Sequence, residues 1–173
     1  MNDLSLPMRR AGPADLPRVA RLERACFSEG AGVFSHRQLR DLLHNPNAYW
    51  LLGAEGQAMA CWLRADNGHA RWARLYSLAV HPHRRGQGWA GRLLEAGFDW
   101  MRQNGLTVCR AEVKIDNQPA RRLYADFGFQ EAALLPDYYG PGLAGVRLIK
   151  SVVAPLIRPQ AAYNRTSIVQ DLR

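Results

Sequence analysis

The chain has 173 residues, and its 23 Lys plus Arg against 15 Asp plus Glu leave a formal charge of +8. With 47% hydrophobic and 22% charged residues it has the make-up of a folded protein, which excludes a disordered chain; its length favours one domain burying about 70% of its unfolded surface. The longest apolar run, Ala58 to Leu63, is far short of the about 18 residues of a membrane-spanning helix, and the start, MNDLSLPMRR, lacks the apolar core of a signal peptide, so a cytoplasmic protein without a membrane partner is expected.

Asp15 is placed to cap a helix carrying Leu16, Val19, Leu22 and Cys26 at helical spacing, with Arg18, Arg21 and Arg24 between them. Ser35-His36-Arg37-Gln38 is a capping-box pattern ahead of Leu39, Leu42 and Leu43, and Asn45-Pro46 stops that helix. Strands are predicted over Tyr49–Leu52, Met59–Arg64 and Ala73–Val80, with turns at Glu55-Gly56 and Asp66-Asn67-Gly68, an antiparallel meander. A helix over Gly88–Gln103 presents Leu93, Leu94, Gly97, Phe98 and Met101 on one side and stops at Asn104-Gly105. A strand over Thr107–Lys114 follows, then a helix over Gln118–Asp126 capped by Asn117, and strands over Gln130–Leu135 and Val146–Val153. Cys26, Cys61 and Cys109 are too few and scattered for a disulfide framework or metal pair and read as small buried hydrophobes. Pro155 to Arg173 carries a polar run with a candidate short strand at Ser167–Val169.

The run HPHRRGQGWAGRLL, from His81 to Leu94, joins strand to helix. Gly86, Gly88 and Gly91 lie where bare amides meet the positive end of a helix, and Arg84 and Arg85 add charge, the chemistry of a phosphate-binding turn. The spacing is not GxxxxGKS, so a P-loop reading fails. An ordinary tight turn with solvated arginines fits the same residues. His81 and His83 flank Pro82 without a third metal ligand and read as loop residues; no metal is expected. On the strand before Asn117, alternation sets Arg110, Glu112 and Lys114 opposite Cys109, Ala111 and Val113, which by itself describes a salt-bridged polar face.

Arg85-Gly86-Gln87-Gly88-Trp89-Ala90 resembles the (Q/R)-x-x-G-x-(G/A) acyl-CoA signature of the GNAT superfamily of N-acetyltransferases, and DNQPARRLYADFGF is similar to its second signature, N-x-x-A-x-x-L-Y-x-x-x-G-F. Two signatures in the right order are far more specific than either alone. The likeness covers residues 8–153 as a single acetyltransferase domain, with 154–173 as a C-terminal extension of unassigned role. It implies the GNAT fold: a mixed, mostly antiparallel, twisted sheet of six to seven strands with helices on both faces.

The resemblance also implies acetyl-CoA as cofactor and a primary amine as acceptor. The cofactor residues it points to are Leu78, Ala79 and Val80, then Arg84, Arg85, Gly86, Gln87, Gly88, Trp89, Ala90 and Gly91, and finally Asn117 and Tyr124. Within the superfamily AEVKIDNQPARRLYADFGF and Tyr138-Tyr139 are most similar to the ribosomal-protein alanine N-acetyltransferase group, which implies Glu112 as general base, Tyr124 as general acid and a protein N-terminus as acceptor. An amine must lose its proton before attacking a thioester, and a phenol beside the sulfur can protonate the leaving thiolate. A backbone amide near Ala79 or Val80 would hold the developing oxyanion. Tyr138 and Tyr139, between Pro136 and Gly142, are placed to line the acceptor site.

A small amine (polyamine, amino acid or aminoglycoside) or a lysine side chain is the alternative acceptor, and a basic nucleic-acid-binding module a distant one. The arginine pairs Arg9-Arg10, Arg84-Arg85 and Arg121-Arg122 are dispersed over different elements without a helix-turn-helix, RNP or zinc signature, so nucleic acid is not expected as the primary ligand. A homo-oligomer is compatible with the sequence.

Overall fold

In the computed structural model, which describes residues 7–27, 33–65 and 71–153, each predicted helix forms where its apolar stripe recurs. α1 (Leu16–Cys26) buries Val19, Ala20, Leu22 and Glu23, and α2 (His36–His44) buries Leu39 and Leu43. The Ser35 hydroxyl accepts from the Gln38 amide while the Gln38 side chain accepts from Ser35 N, the expected capping box. Asp15 stands at the N-cap of α1 as expected, at the end of a 3-10 turn, but its side chain makes no capping bond. Its carboxylate accepts instead from Arg9, at 2.8 and 2.5 Å, and from Gly12 N, because a forked guanidinium offers stronger hydrogen bonds than a helix amide. α3 (Trp89–Gln103) and α4 (Gln118–Asp126) follow, the latter capped by Asn117 Oδ1 accepting from Ala120 N.

Seven strands form one sheet: β1 (Arg9–Arg10), β2 (Ala48–Gly53), β3 (Ala58–Arg64), β4 (Trp72–Val80), β5 (Val108–Lys114), β6 (Gln130–Leu135) and β7 (Gly145–Ser151). Their order is β1-β2-β3-β4-β5-β7-β6, antiparallel throughout except between β4 and β5. β1, two exposed residues, was not predicted, and β7 starts one residue earlier and ends two earlier than expected. The Glu55-Gly56 turn is a 3-10 turn in which Ala54 and Glu55 take positive φ. The expected turn at Asp66-Asn67-Gly68 and strand at Ser167–Val169 lie outside the described residues.

Helices cover both faces. α3 and α4 pack with β2, β3, β4, β5 and β7 around Trp62, Trp89, Leu93, Leu94, Phe98 and Met101, whereas α1 and α2 cover β2 to β4 alone, around Val19, Leu39, Trp50 and Met59. Two irregularities in β4 shape the sheet. Trp62 pairs with Leu75 but Cys61 with Ser77, so Tyr76 is an extra residue, a β-bulge. In consequence Ala73 and Leu75 face the α3 core while Ala79, which an unbroken strand would put beside them, faces α1 and α2. In addition β4 pairs with β5 only from Trp72↔Val108 to Leu75↔Ala111. Beyond that, Tyr76–Val80 and Glu112–Lys114 no longer pair with each other, and the sheet splits into a V. No described helix is long and apolar enough to cross a membrane.

Candidate active site

Glu112 is the first residue of β5 past the point where β4 leaves it, on the face away from α3. Its side chain is only 4% exposed, so its charge needs partners. Two arginines supply them: Arg147, opposite on β7, donates from Nε to Oε1 at 3.0 Å, and Arg74 on β4 brings Nε to 2.7 Å from Oε2. The Arg74 contact is an ion pair whose Nε–H is not directed at the oxygen. Arg74 also donates from Nη2 to the Tyr138 hydroxyl at 2.8 Å and lies over the Tyr76 ring at 4.6 Å. The salt-bridged polar face that alternation suggested is therefore real and surrounds the candidate base. The sequence reading missed Arg74 and Arg147, which stand 38 and 35 positions away in the numbering; the signal lay in the register that sets Arg147 opposite Glu112.

Tyr124 comes from α4, is 8% exposed, and meets the ring of Phe129 edge-on at 5.3 Å. Burial, reinforced by Cys109 and Tyr139, pushes its phenol above the usual range and keeps it protonated. Tyr139 is pushed up to about 12, by burial first and then by Tyr138 and Glu112. The double-tyrosine loop is held by Asp137, at positive φ, whose carboxylate accepts from Gly142 N at 2.6 Å. The loop lays Tyr139 on Gly145, where a Cβ would stand 2.9 Å from the ring, and Lys114 lies 5.7 Å from that ring's centroid. Glu112, Tyr138 and Tyr139 thus meet on one side of the V.

The glycine-rich turn lies past the C-terminal end of β4. Gly86 and Gly88 take φ of +74° and +78°, and open space stands where a Cβ would be, so the backbone is bare. Gly88 precedes α3 without a side-chain cap, which leaves the first-turn amides without helical acceptors. These features fit a phosphate. Arg85 donates from Nε to Val80 O at 3.2 Å, tying the turn to the strand, and Gln87 donates to His83 O. Arg84 donates from Nε to Gln57 Oε1. Ala90 lies in the first turn of α3. The Trp89 side chain is buried in the core, so only its main chain serves the turn, and Gly91 gives close approach to Phe127. Leu78, Ala79 and Val80 pair with β3 and leave their other edge toward the V. His81 and His83, at the start of the preceding 3-10 turn, set their rings 5.2 Å apart and tilted.

Residues 16–129 match the family model described as the acetyltransferase (GNAT) family. A Bacillus subtilis (strain 168) protein named a candidate [ribosomal protein bS18]-alanine N-acetyltransferase is 27% identical over 131 residues, 72% of this chain and 81% of that one. An aminoglycoside N(6')-acetyltransferase type 1 from Serratia marcescens is 29% identical over 126 residues, 68% of this chain and 86% of its own. The crystal structure of the Escherichia coli ribosomal-protein-S18-alanine N-acetyltransferase superposes with a TM-score of 0.75 at 20% identity, covering 88% of this chain and 97% of that one.

Proposed function

The chain belongs to the GNAT acetyltransferase family, and from that premise we propose that it acetylates the α-amino group of a protein or peptide N-terminus, with Glu112 as general base and Tyr124 as general acid. It is an N-acetyltransferase, and acetyl-CoA, the acetyl donor of the family, is its cofactor. The observation that carries the residue assignment is the position of Glu112: the only carboxylate among the described residues of β4 and β5, set where the two strands part.

When bound, acetyl-CoA supplies an activated acetyl group at the V. The chain's part begins with the amides of Trp89 and Ala90 and the charge of Arg84 and Arg85, which would receive the phosphates. The two arginines fix the Glu112 carboxylate but occupy only part of its lone pairs, leaving it able to take the ammonium proton, directly or through water. An α-amine, with a reference pKa of about 7.7–8.0 against about 10.4 for lysine, is the easier group to deprotonate. The buried, protonated phenol of Tyr124 holds a proton for the departing sulfur. The unpaired edge of Ala79 and Val80 offers a main-chain donor for the carbonyl oxygen.

The small-amine reading is supported by the likeness to the aminoglycoside enzyme. A coenzyme-release assay against N-terminal peptides, free lysine, polyamines and aminoglycosides separates the two, and tandem mass spectrometry places the acetyl group. Glu112→Gln and Tyr124→Phe should each lower kcat about 10²–10⁴-fold with acetyl-CoA affinity retained. Wild-type turnover by either variant across the pH range removes that residue from the chemistry; transfer only to small amines overturns the acceptor.

A further inference from the structure

The half of the sheet that α1 and α2 leave uncovered is cationic. Arg74 on β4, Arg110 and Lys114 on β5 and Arg147 on β7 share one face, and Glu112 is the one carboxylate among them. Arg74 and Arg147 both bind Glu112, so that cluster alone keeps one positive charge in excess. Among the described residues neither Arg110 nor Lys114 has a carboxylate partner. Arg110 lies 4.1 Å over the Trp72 ring with a buried Nε that meets no acceptor, and Lys114 lies over Tyr139.

An open groove of about 850 Å³ continues from this face toward the end of α2, lined by Arg64, Trp72, Arg74 and Tyr76 on one side and by Asp41 and His44 on the other. Asp41 brings little negative charge to it, since Arg37 and Arg40 lie beside it at 3.8 and 3.3 Å. A volume of this size takes a few residues of extended peptide.

These cations are not phosphate ligands of the glycine-rich turn. Arg74 stands six residues before Val80, about 20 Å along the strand from where that turn begins. Guanidinium groups held over aromatic rings are pre-organised for carboxylates, and their charge would repel a polycationic acceptor.

We propose that this face selects an acceptor bearing a carboxylate close to its amine: a peptide whose second or third residue is Asp or Glu, its α-amine at Glu112 and its acidic side chain on Arg110 or Lys114, which stand two residues to either side of Glu112. The inference rests on the reading of Glu112 as the site of proton removal and goes further in naming the acceptor's charge.

The test compares kcat/KM for three peptides that share one N-terminal residue and carry Asp-Glu, Gly-Gln or Lys-Arg at positions two and three. Charge-assisted hydrogen bonds from Arg110 or Lys114 to the acidic side chain should favour the acidic peptide about 10–100-fold over the basic one at low salt, with the ratio shrinking as salt rises. The double variant Arg110→Gln, Lys114→Gln should collapse the acidic-to-neutral ratio toward one, and Arg110→Glu, Lys114→Glu should invert the acidic-to-basic preference. If those variants fold poorly, the salt dependence of the wild-type ratio tests the same charge. Equal use of the three peptides, or preference for the basic one, overturns the proposal while leaving N-terminal acetylation intact. Preference for glutamate over its decarboxylated amine, with no peptide modified, would sustain the anionic acceptor and overturn the peptide reading. Transfer confined to spermidine or aminoglycosides would overturn both.

Discussion

Glu112 and Glu23 are both almost sealed from solvent, and their surroundings treat them in opposite ways. Glu112 is held between two guanidinium groups, whereas Glu23, 1% exposed on α1, receives one hydrogen bond from Phe34 N and leaves Oε2 without a partner among the described residues. Burial pushes Glu23 up to about 7, against the smaller opposing effect of the Phe34 amide. Its ordinary value is 4.5, so as pH rises from there the unfolded chain releases this proton while the folded chain keeps it. Stability conferred by the neutral form is complete below about 4.5 and lost as pH climbs through about 7, a decline on the order of 3 kcal/mol at 1.36 kcal/mol per unit. Asp15, held at about 2 by Arg9, stays ionised over this window and adds no slope. Urea midpoints between pH 4.5 and 8 should fall for the wild type and flatten for Glu23→Gln, which keeps the acceptor for Phe34 N. A wild-type profile level over that range would show that Glu23 ionises freely in the folded protein.

At the scale of elements, the contact of α3 with β3 depends on one missing side chain. A Cβ on Gly97 would overlap the buried Trp62 indole. Ala gains about 1 kcal/mol of helix propensity over Gly, but overpacking costs about 1–3 kcal/mol or more, and a rigid indole with no room to turn puts this site at the upper end. Gly97→Ala should therefore lower the urea midpoint; a raised midpoint would show that Trp62 repacks. Periodicity made α1 to α4 legible because each has one apolar stripe and a local stop signal, and Ser35 and Asn117 were readable because capping acts within three residues. β1 was invisible, since two exposed arginines carry no pattern, and the bond of Asp15 to Arg9 was hidden because Arg9 lies outside the helix that Asp15 precedes. Within the site, the glycine turn and the positions of Glu112 and Tyr124 came from contiguous motifs. The Arg74–Glu112–Arg147 clamp joins three strands, and the bulge at Tyr76 depends on the pairing of β3 with β4, so neither exists until register does.

Across the whole molecule, the sheet is two plates joined at the four β4–β5 pairs and backed by the α3 core, which draws residues from both. The V beyond those pairs is an edge without strand partners, and the glycine turn sits past its β4 end. A cofactor seated there binds only the folded state, which it must stabilise: at a hundred times its dissociation constant the gain is about 2.7 kcal/mol, or about 5–10 °C in Tm for a chain of this length. Gly88→Val tests the seat through the backbone, because its Cβ stands in open space and the strain comes from the φ of +78°. The variant should melt a few degrees lower and lose most of the acetyl-CoA shift, since relieving the strain turns the first-turn amides away from the phosphates. Glu112→Gln should keep the full shift, as its carboxylate lies on the face of the sheet away from α3. Differential scanning calorimetry with and without acetyl-CoA reads both, and a Gly88→Val shift equal to wild type would place the phosphates away from this turn.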